Sequence, residues 1–332
     1  MKKSEVPRAL YLYVECAVGR LTTTAQVSVF MRLFVFALLT MVSRLKADPF
    51  VIAHRGASGE RPEHTLAAYS LALEQAVDYI EPDLRSTKDG VFIALHDATL
   101  NRTTDVALHP EFADRAKLDK NGRKIWMPQD FLLSEIHSLR TKQGTEGRAA
   151  SFDGQERIPT LEEVVNLVRG WNRTHNARVG LMPELRGHAD DFIEFARKHH
   201  LKDDESLPIY LQSFEESTLK KVREELGFPG ALLMGKSPSI ERLSQLKASF
   251  TAVAVGKDDC LKPDSIAWIA ESHRLGLKVI AWTFDDARFD RNRFQSSVDE
   301  MHFAFENGID GVFTDYPASG VSARAEAIRK AM

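Results

Sequence analysis

Cysteine is nearly absent. The chain of 332 residues has two, Cys16 and Cys260. Cys16 lies in a stretch expected to be removed, so no internal disulfide is expected, and no C-x-x-C pair offers a thiolate centre. An internal repeat and a low-complexity tract are also missing. Basic charge is not in excess: residues 48–332 hold 37 Lys and Arg against 45 Asp and Glu, a net of −8. A polyanion-binding face is therefore not expected and nucleic acid is set aside as a partner, although a local basic pocket stays open. No nucleophile elbow for a Ser/His/Asp centre is found. The longest apolar run, residues 33–42, is shorter than the roughly 20 residues that span a bilayer. No stable membrane insertion of the mature chain is expected.

That run has another reading. Met31 and Arg32 precede it, and Ser43-Arg44-Leu45-Lys46-Ala47 follows. A basic start, a short apolar core and a small residue at the end make a secretory signal, with Leu45 and Ala47 before the cleavage point. Residues 1–47 are thus expected to direct export to the periplasm or the exterior, and Met31 sits where a start codon would make the signal compact. A retained anchor is the rival.

Beyond residue 47 the composition is that of a globular protein, with 43% hydrophobic and 27% charged residues over the whole chain. Short apolar runs alternate with helical patterns. Runs ending at His54, Asp83, Arg186, Phe214, Gly235, Val255, Phe284 and Thr314 give eight strands, and residues 65–76, 160–175, 188–200 and later stretches read as helices. This predicts a distorted (β/α)8 TIM barrel over residues 48–322, with 323–332 as the end of a C-terminal helix. A ninth run, 91–95, follows the second strand too closely for a parallel crossover. Lys88-Asp89-Gly90 makes it the return arm of a hairpin standing above the rim, which brings His96 back to the level of Glu81 and Asp83. Residues 98–157 are long, polar and irregular, and are expected to cap the active-site face.

The chemistry gathers in residues 51–104. His54 and Arg55 end the first strand, Glu81 and Asp83 the second, and His96 the hairpin. Glu81 and Asp83 are two apart, so their carboxylates share a face, and Glu184 ends another strand in the same sense. Three converging carboxylates call for a hard divalent cation, Ca2+ or Mg2+. The bland alternative pairs them with Arg55, Arg85 or Arg186. Two imidazoles near neutrality suit acid and base in one displacement, against a structural hydrogen bond for each. Arg55 can grip a phosphate as a fork. Glu63 either caps a helix or joins the site. Trp282 and Gln212 face the interior, as core or as substrate contacts. Residues 230–237, GALLMGKS, match the phosphate-loop pattern in letters only: the four middle residues are strand-like and Pro238 follows.

Taken together, His54-Arg55-Gly56, Pro62-Glu63-His64-Thr65, Glu81-Pro82-Asp83, His96-Asp97, Asn101-Arg102-Thr103, Pro183-Glu184, Gln212-Ser213-Phe214, Trp282-Thr283 and Thr314-Asp315-Tyr316-Pro317 resemble the glycerophosphodiester phosphodiesterases. The long segment after His96 is similar to the exported branch of that family. The resemblance implies a barrel with Ca2+ or Mg2+ held by Glu81, Asp83 and Glu184, with His54 and His96 as acid and base. It implies substrate contacts from Arg55, Arg186, Gln212 and Trp282. The substrate's own glycerol hydroxyl would attack phosphorus, and a cyclic phosphate would then be opened by water. The products implied are glycerol 3-phosphate and an alcohol such as choline or ethanolamine. Arg186 stands where many members carry Lys, and His64 where Asn is usual. Two rivals are an enzyme like phospholipase D or phosphoinositide phospholipase C acting on acylated lipid, which would need an apolar mouth, and a non-catalytic surface binding protein, which would show a broken site.

Overall fold

The computed structural model describes residues 48–331, so the export signal expected in residues 1–47 lies outside the described residues. Strand β1 (Phe50–His54) shows the rule by which the rest is built. Phe50 and Ile52 point into an inner apolar cluster, whereas Val51 and Ala53 join an outer one shared with the helices. The same alternation recurs in β2 (Tyr79–Glu81), β7 (Gly180–Leu181), β8 (Leu211–Ser213), β9 (Gly230–Met234), β10 (Ala252–Gly256), β11 (Lys278–Phe284) and β12 (Gly311–Thr314). Strands buried on both faces belong to a parallel sheet covered by helices.

These eight strands are all parallel, in the order β7-β2-β1-β12-β11-β10-β9-β8. The parallel bridges Leu181–Ile209 and Glu184–Gln212 join the two edges, so the sheet closes into the expected barrel. Its lowest inner layer is aromatic. Phe50 and Tyr79 pack edge to face at 5.7 Å, and Tyr79 and Tyr210 at 6.1 Å. Two glycines make room for them: a Cβ at Gly311 would meet the Phe50 ring at 2.4 Å, and one at Gly180 the Tyr79 ring at 2.5 Å.

Helices α1 (Leu66–Glu74), α3 (Leu161–His175), α4 (Ala189–Lys198), α5 (Glu216–Leu226), α6 (Ile240–Leu246), α8 (Ser265–Arg274), α9 (Ser297–Glu306) and α10 (Pro317–Ala331) supply the outer layer, while α2 (Leu133–Ile136) and α7 (Lys257–Cys260) are single turns. Their starts were written in the chain. Thr65 caps α1 through the Ala68 amide, and Thr160 and Glu163 form a reciprocal capping box on α3. Among the described residues, no helix is long and apolar enough to cross a membrane.

Strands β3 (Leu84–Ser86) and β4 (Phe92–Ala94) form the expected antiparallel hairpin above the second barrel strand. Its return arm ends beside the carboxylates, with the Leu95 amide donating to the Asp83 carbonyl at 2.9 Å. Residues 98–157 hold a small core of their own, in which Trp126, Phe131 and Leu139 pack against Ile93 and Leu95 of the hairpin. A short ribbon, β5 (Lys117–Leu118) with β6 (Lys124–Ile125), belongs to this segment. Residues 230–234 are a buried strand, as their apolar middle required, so the phosphate-loop letters carry no loop.

Candidate active site

Above the apolar layers, the next inward position of five strands is polar. His54 follows Ile52, Glu81 follows Tyr79, Glu184 follows Met182, Gln212 follows Tyr210 and Asp315 follows Phe313. Side chains two apart on a strand share a face, so the barrel mouth collects these groups in one ring.

Oxygens of Glu81, Asp83 and Glu184 all lie within 4.8 Å of one another, and the three residues are 1%, 1% and 7% exposed. Burial, with Asp83 and Glu184 alongside, raises the Glu81 carboxyl well above the ordinary range. Burial and the charge of Asp83 likewise push Glu184 up to about 9. Asp83 goes the other way: burial opposes its charge, but a hydrogen bond from His64 and the charges of His64 and Arg55 outweigh that and hold it well below. A cluster that keeps one carboxylate charged and two reluctant is short of positive charge. Each member is also aimed. Glu81 accepts from the Arg55 amide at 2.8 Å and from Gln212 Nε2 at 3.0 Å. Asp83 accepts from His64 Nε2 at 2.9 Å and from Arg186 at 2.9 Å, and Arg186 also lies 2.9 Å from Glu184. Gln212 spends its amide hydrogens on Glu81 and Met182, leaving its buried carbonyl Oε1 with no partner among the described residues. Three buried carboxylates and an orphaned amide oxygen form an all-oxygen donor set, which fits a hard divalent cation.

Each imidazole is held by a carboxylate. His54 Nδ1 lies 2.6 Å from Asp315 Oδ1, and His96 Nδ1 lies 2.7 Å from Asp97 Oδ1. A carboxylate on Nδ1 fixes the ring and its tautomer and leaves Nε2 for chemistry. The two carboxylates are themselves gripped. Arg148 bonds Asp315, and also Asp285 at 2.9 Å and the Ser58 carbonyl at 3.0 Å. Arg102 bonds Asp97 at 2.7 Å and Glu63 twice at 2.7 Å. Asp315 and Asp97 are both held below the carboxylate range: burial opposes their charge, and the imidazole and arginine on each prevail.

Arg55, next in the chain after His54, adopts the left-handed region at φ +60°. That conformation turns its amide onto Glu81, while its guanidinium reaches Glu63 at 3.1 Å and Asp83 at 3.5 Å. Arg55 Nε is buried and has no hydrogen-bond partner among the described residues. Glu63 joins this network instead of capping α1, and Arg55 and Arg102 hold it near 2 despite its burial, with its pKa lowered to about 2. Arg85 binds the His96 carbonyl at 2.9 Å and leaves the carboxylates alone. Trp282 packs on Phe214 at 5.9 Å and hydrogen-bonds none of the polar groups.

A cavity of about 430 Å3 opens beside His54 and Arg55, on the side away from the acidic cluster, with Thr283, Asp285, Lys257 and Arg148 in its walls. Arg148, Lys257 and Asp315 were not expected at the site. Asp315 was within reach, because it sits two residues after the inward Phe313. His64 was noted only as a variant, yet it is buried between Asp83 and the Tyr69 hydroxyl, 2.7 Å from its Nδ1. Arg148 gave no signal: it comes from an irregular segment with no period to read.

The arrangement is similar to that of known enzymes. The model of the glycerophosphoryl diester phosphodiesterase family matches residues 54–319. A glycerophosphodiester phosphodiesterase of Arabidopsis thaliana is 28% identical, with 82% of this chain and 84% of that protein covered. One of Bacillus subtilis is 30% identical, with 80% and 83% covered. A phosphodiesterase of Oleispira antarctica, solved in complex with the product sn-glycerol-3-phosphate, matches with a TM-score of 0.62 at 26% identity, over 83% of this chain and 96% of that one.

Proposed function

The chain belongs to the glycerophosphoryl diester phosphodiesterase family, and from that premise we propose a metal-dependent reaction run by His54 and His96 on glycerophosphodiesters such as glycerophosphoethanolamine and glycerophosphocholine. Hydrolysis of glycerophosphodiesters to glycerol 3-phosphate is the family's reaction, and the family's enzymes depend on a divalent metal. The observation that carries the finer reading is a pair of carboxylate-anchored imidazoles at the same barrel mouth as one buried acidic cluster, His54 beside Glu81 in the sheet and His96 one residue after the Leu95 amide bonded to Asp83.

Glu81, Asp83 and Glu184 would hold the cation, with Ca2+ or Mg2+ suited to an all-oxygen donor set. Once bound, such an ion neutralises charge on the phosphate and acts as a Lewis acid. Arg55 and Arg186 add guanidinium donors toward the non-bridging oxygens. One imidazole takes the proton of the attacking glycerol hydroxyl, and the other gives a proton to the departing alcohol oxygen. Water then opens the cyclic phosphate with the two roles exchanged. Gln212 keeps Glu81 oriented, and Trp282 offers an apolar wall to the glycerol carbons.

Purified protein incubated with each diester and assayed for glycerol 3-phosphate under Ca2+, Mg2+ and EDTA tests this reading. The expected result is release that EDTA abolishes and one cation restores. Equal release in EDTA would remove the metal. An enzyme acting on acylated lipid is disfavoured by the charged walls of the cavity. A binding protein without turnover is disfavoured by a site with every expected group present. Export remains part of the proposal through residues 1–47, and cell fractionation tests it: activity confined to the cytosol would overturn it.

A further inference from the structure

The cavity and the acidic cluster occupy opposite halves of the barrel mouth. The cluster stands on the ends of β2 and β7, whereas the cavity is walled by residues following β10, β11 and β12, and His54 and Arg55 of β1 form the border. A diester with its phosphate at that border extends one arm over the cluster and the other into the cavity.

Charge in the cavity wall decides what that second arm is. Four cations line it. Arg55 is held by Glu63, and Arg148 by Asp285 and Asp315. Lys257 is held by Glu300 at 2.6 Å, and Arg288 lies 3.8 Å from Asp285. Of the lining carboxylates, Glu63, Asp285 and Asp315 are thus engaged. Asp258, at the exposed edge, has no ion pair among the described residues. The lining thus carries as many cations as carboxylates, and Asp258 is the lining carboxylate that no ion pair engages. A neutral glycerol arm gives it no counter-charge, whereas a cationic arm does. No Phe, Tyr or Trp side chain lines the cavity, so the ring cage that takes a quaternary ammonium is missing.

We propose that this cavity is the head-group subsite and that Asp258 selects an alcohol arm bearing an unmethylated ammonium, as in ethanolamine. The inference rests on the phosphodiesterase reading and names the substrate class within it. The ammonium offers three N–H donors to Asp258 and to Thr145 and Thr283, which also line the cavity. Trimethylation removes all three.

The test is kcat/KM for glycerophosphoethanolamine, glycerophosphocholine and glycerophosphoglycerol with the full chain, its Asp258→Asn variant and its Asp258→Glu variant. The unaltered protein should prefer the ethanolamine diester roughly fivefold or more over each of the others, a size in keeping with one charge-assisted contact at a partly exposed site. Asp258→Asn should bring that ratio close to one, and Asp258→Glu should keep most of it. No preference in the unaltered protein, or a preference that survives Asp258→Asn, would overturn the inference while leaving the enzyme reading intact. Hydrolysis of none of the three by folded protein would overturn both.

Discussion

At the scale of single residues, each imidazole has one nitrogen committed to a carboxylate and one left over. His54→Ala and His96→Ala should each lower kcat by about 10²-fold or more, the usual worth of a positioned acid or base. Steady-state rates on one diester check this, and an unchanged rate in either variant would strike that imidazole from the mechanism. Glu81→Gln keeps the shape and the bond to the Arg55 amide but removes a charge from the cluster. It should abolish cation binding, read by calorimetry, and turnover together, while the circular dichroism spectrum stays that of the folded chain. At this scale the sequence was legible wherever a polar residue ended an apolar strand, as with His54, Glu81 and Glu184. It was not legible where the partner comes from far along the chain. The pairing of His54 with Asp315 spans 261 positions and is set by β1 and β12 lying side by side.

Elements were legible in proportion to their regularity. All eight barrel strands answer to apolar runs, because burial on both faces leaves no other composition for them, and so does the hairpin's return arm, Phe92–Ala94. The strand expected to end at Arg186 shows where this weakens. Its regular ladder covers only Gly180–Leu181, and it continues past Pro183 through single bridges. Proline has no N–H to give to a ladder. In the barrel floor, Gly311→Ala would drive a methyl group into the Phe50 ring, and overpacking of this kind should destabilise by about 1–3 kcal/mol, measured by denaturant titration. The cap was legible as a long polar connection but not in its attachment. The Arg148 side chain is 7% exposed and ties residues 98–157 to Asp285 and Asp315. Arg148→Ala strands two buried carboxylates, so a loss of about 3 kcal/mol or more is expected, together with a fall in kcat as His54 loses its fixed partner. Arg148→Lys should restore part of the stability.

For the molecule as a whole, acid and cation dependence follow from groups displaced in opposite directions. Glu63 is lowered from 4.5 to about 2, so an unfolded chain takes up its proton first as pH falls. The stability it contributes is present above about 4.5 and is lost toward 2. Arg102→Ala should flatten that part of the pH–stability curve and lower stability at neutrality. Glu184 is raised from 4.5 to about 9, so without a cation the folded state loses ground as pH climbs from 4.5 through 9. Binding a divalent ion requires that carboxyl to give up its proton. The rise in Tm on adding Ca2+ should therefore be larger at pH 8.5 than at pH 6. An equal rise at both would count against a Glu184 that gives up a proton to bind the ion.

The ring layer of Phe50, Tyr79 and Tyr210 shapes the traffic of the reaction. With that floor in place the barrel is a blind well, and nothing the size of glycerol passes through its base. Arrivals and departures share one doorway, under a lid pinned by Arg148. A departing glycerol 3-phosphate vacates the very place the next diester needs. The product should thus inhibit in competition with substrate, which initial rates with added glycerol 3-phosphate check.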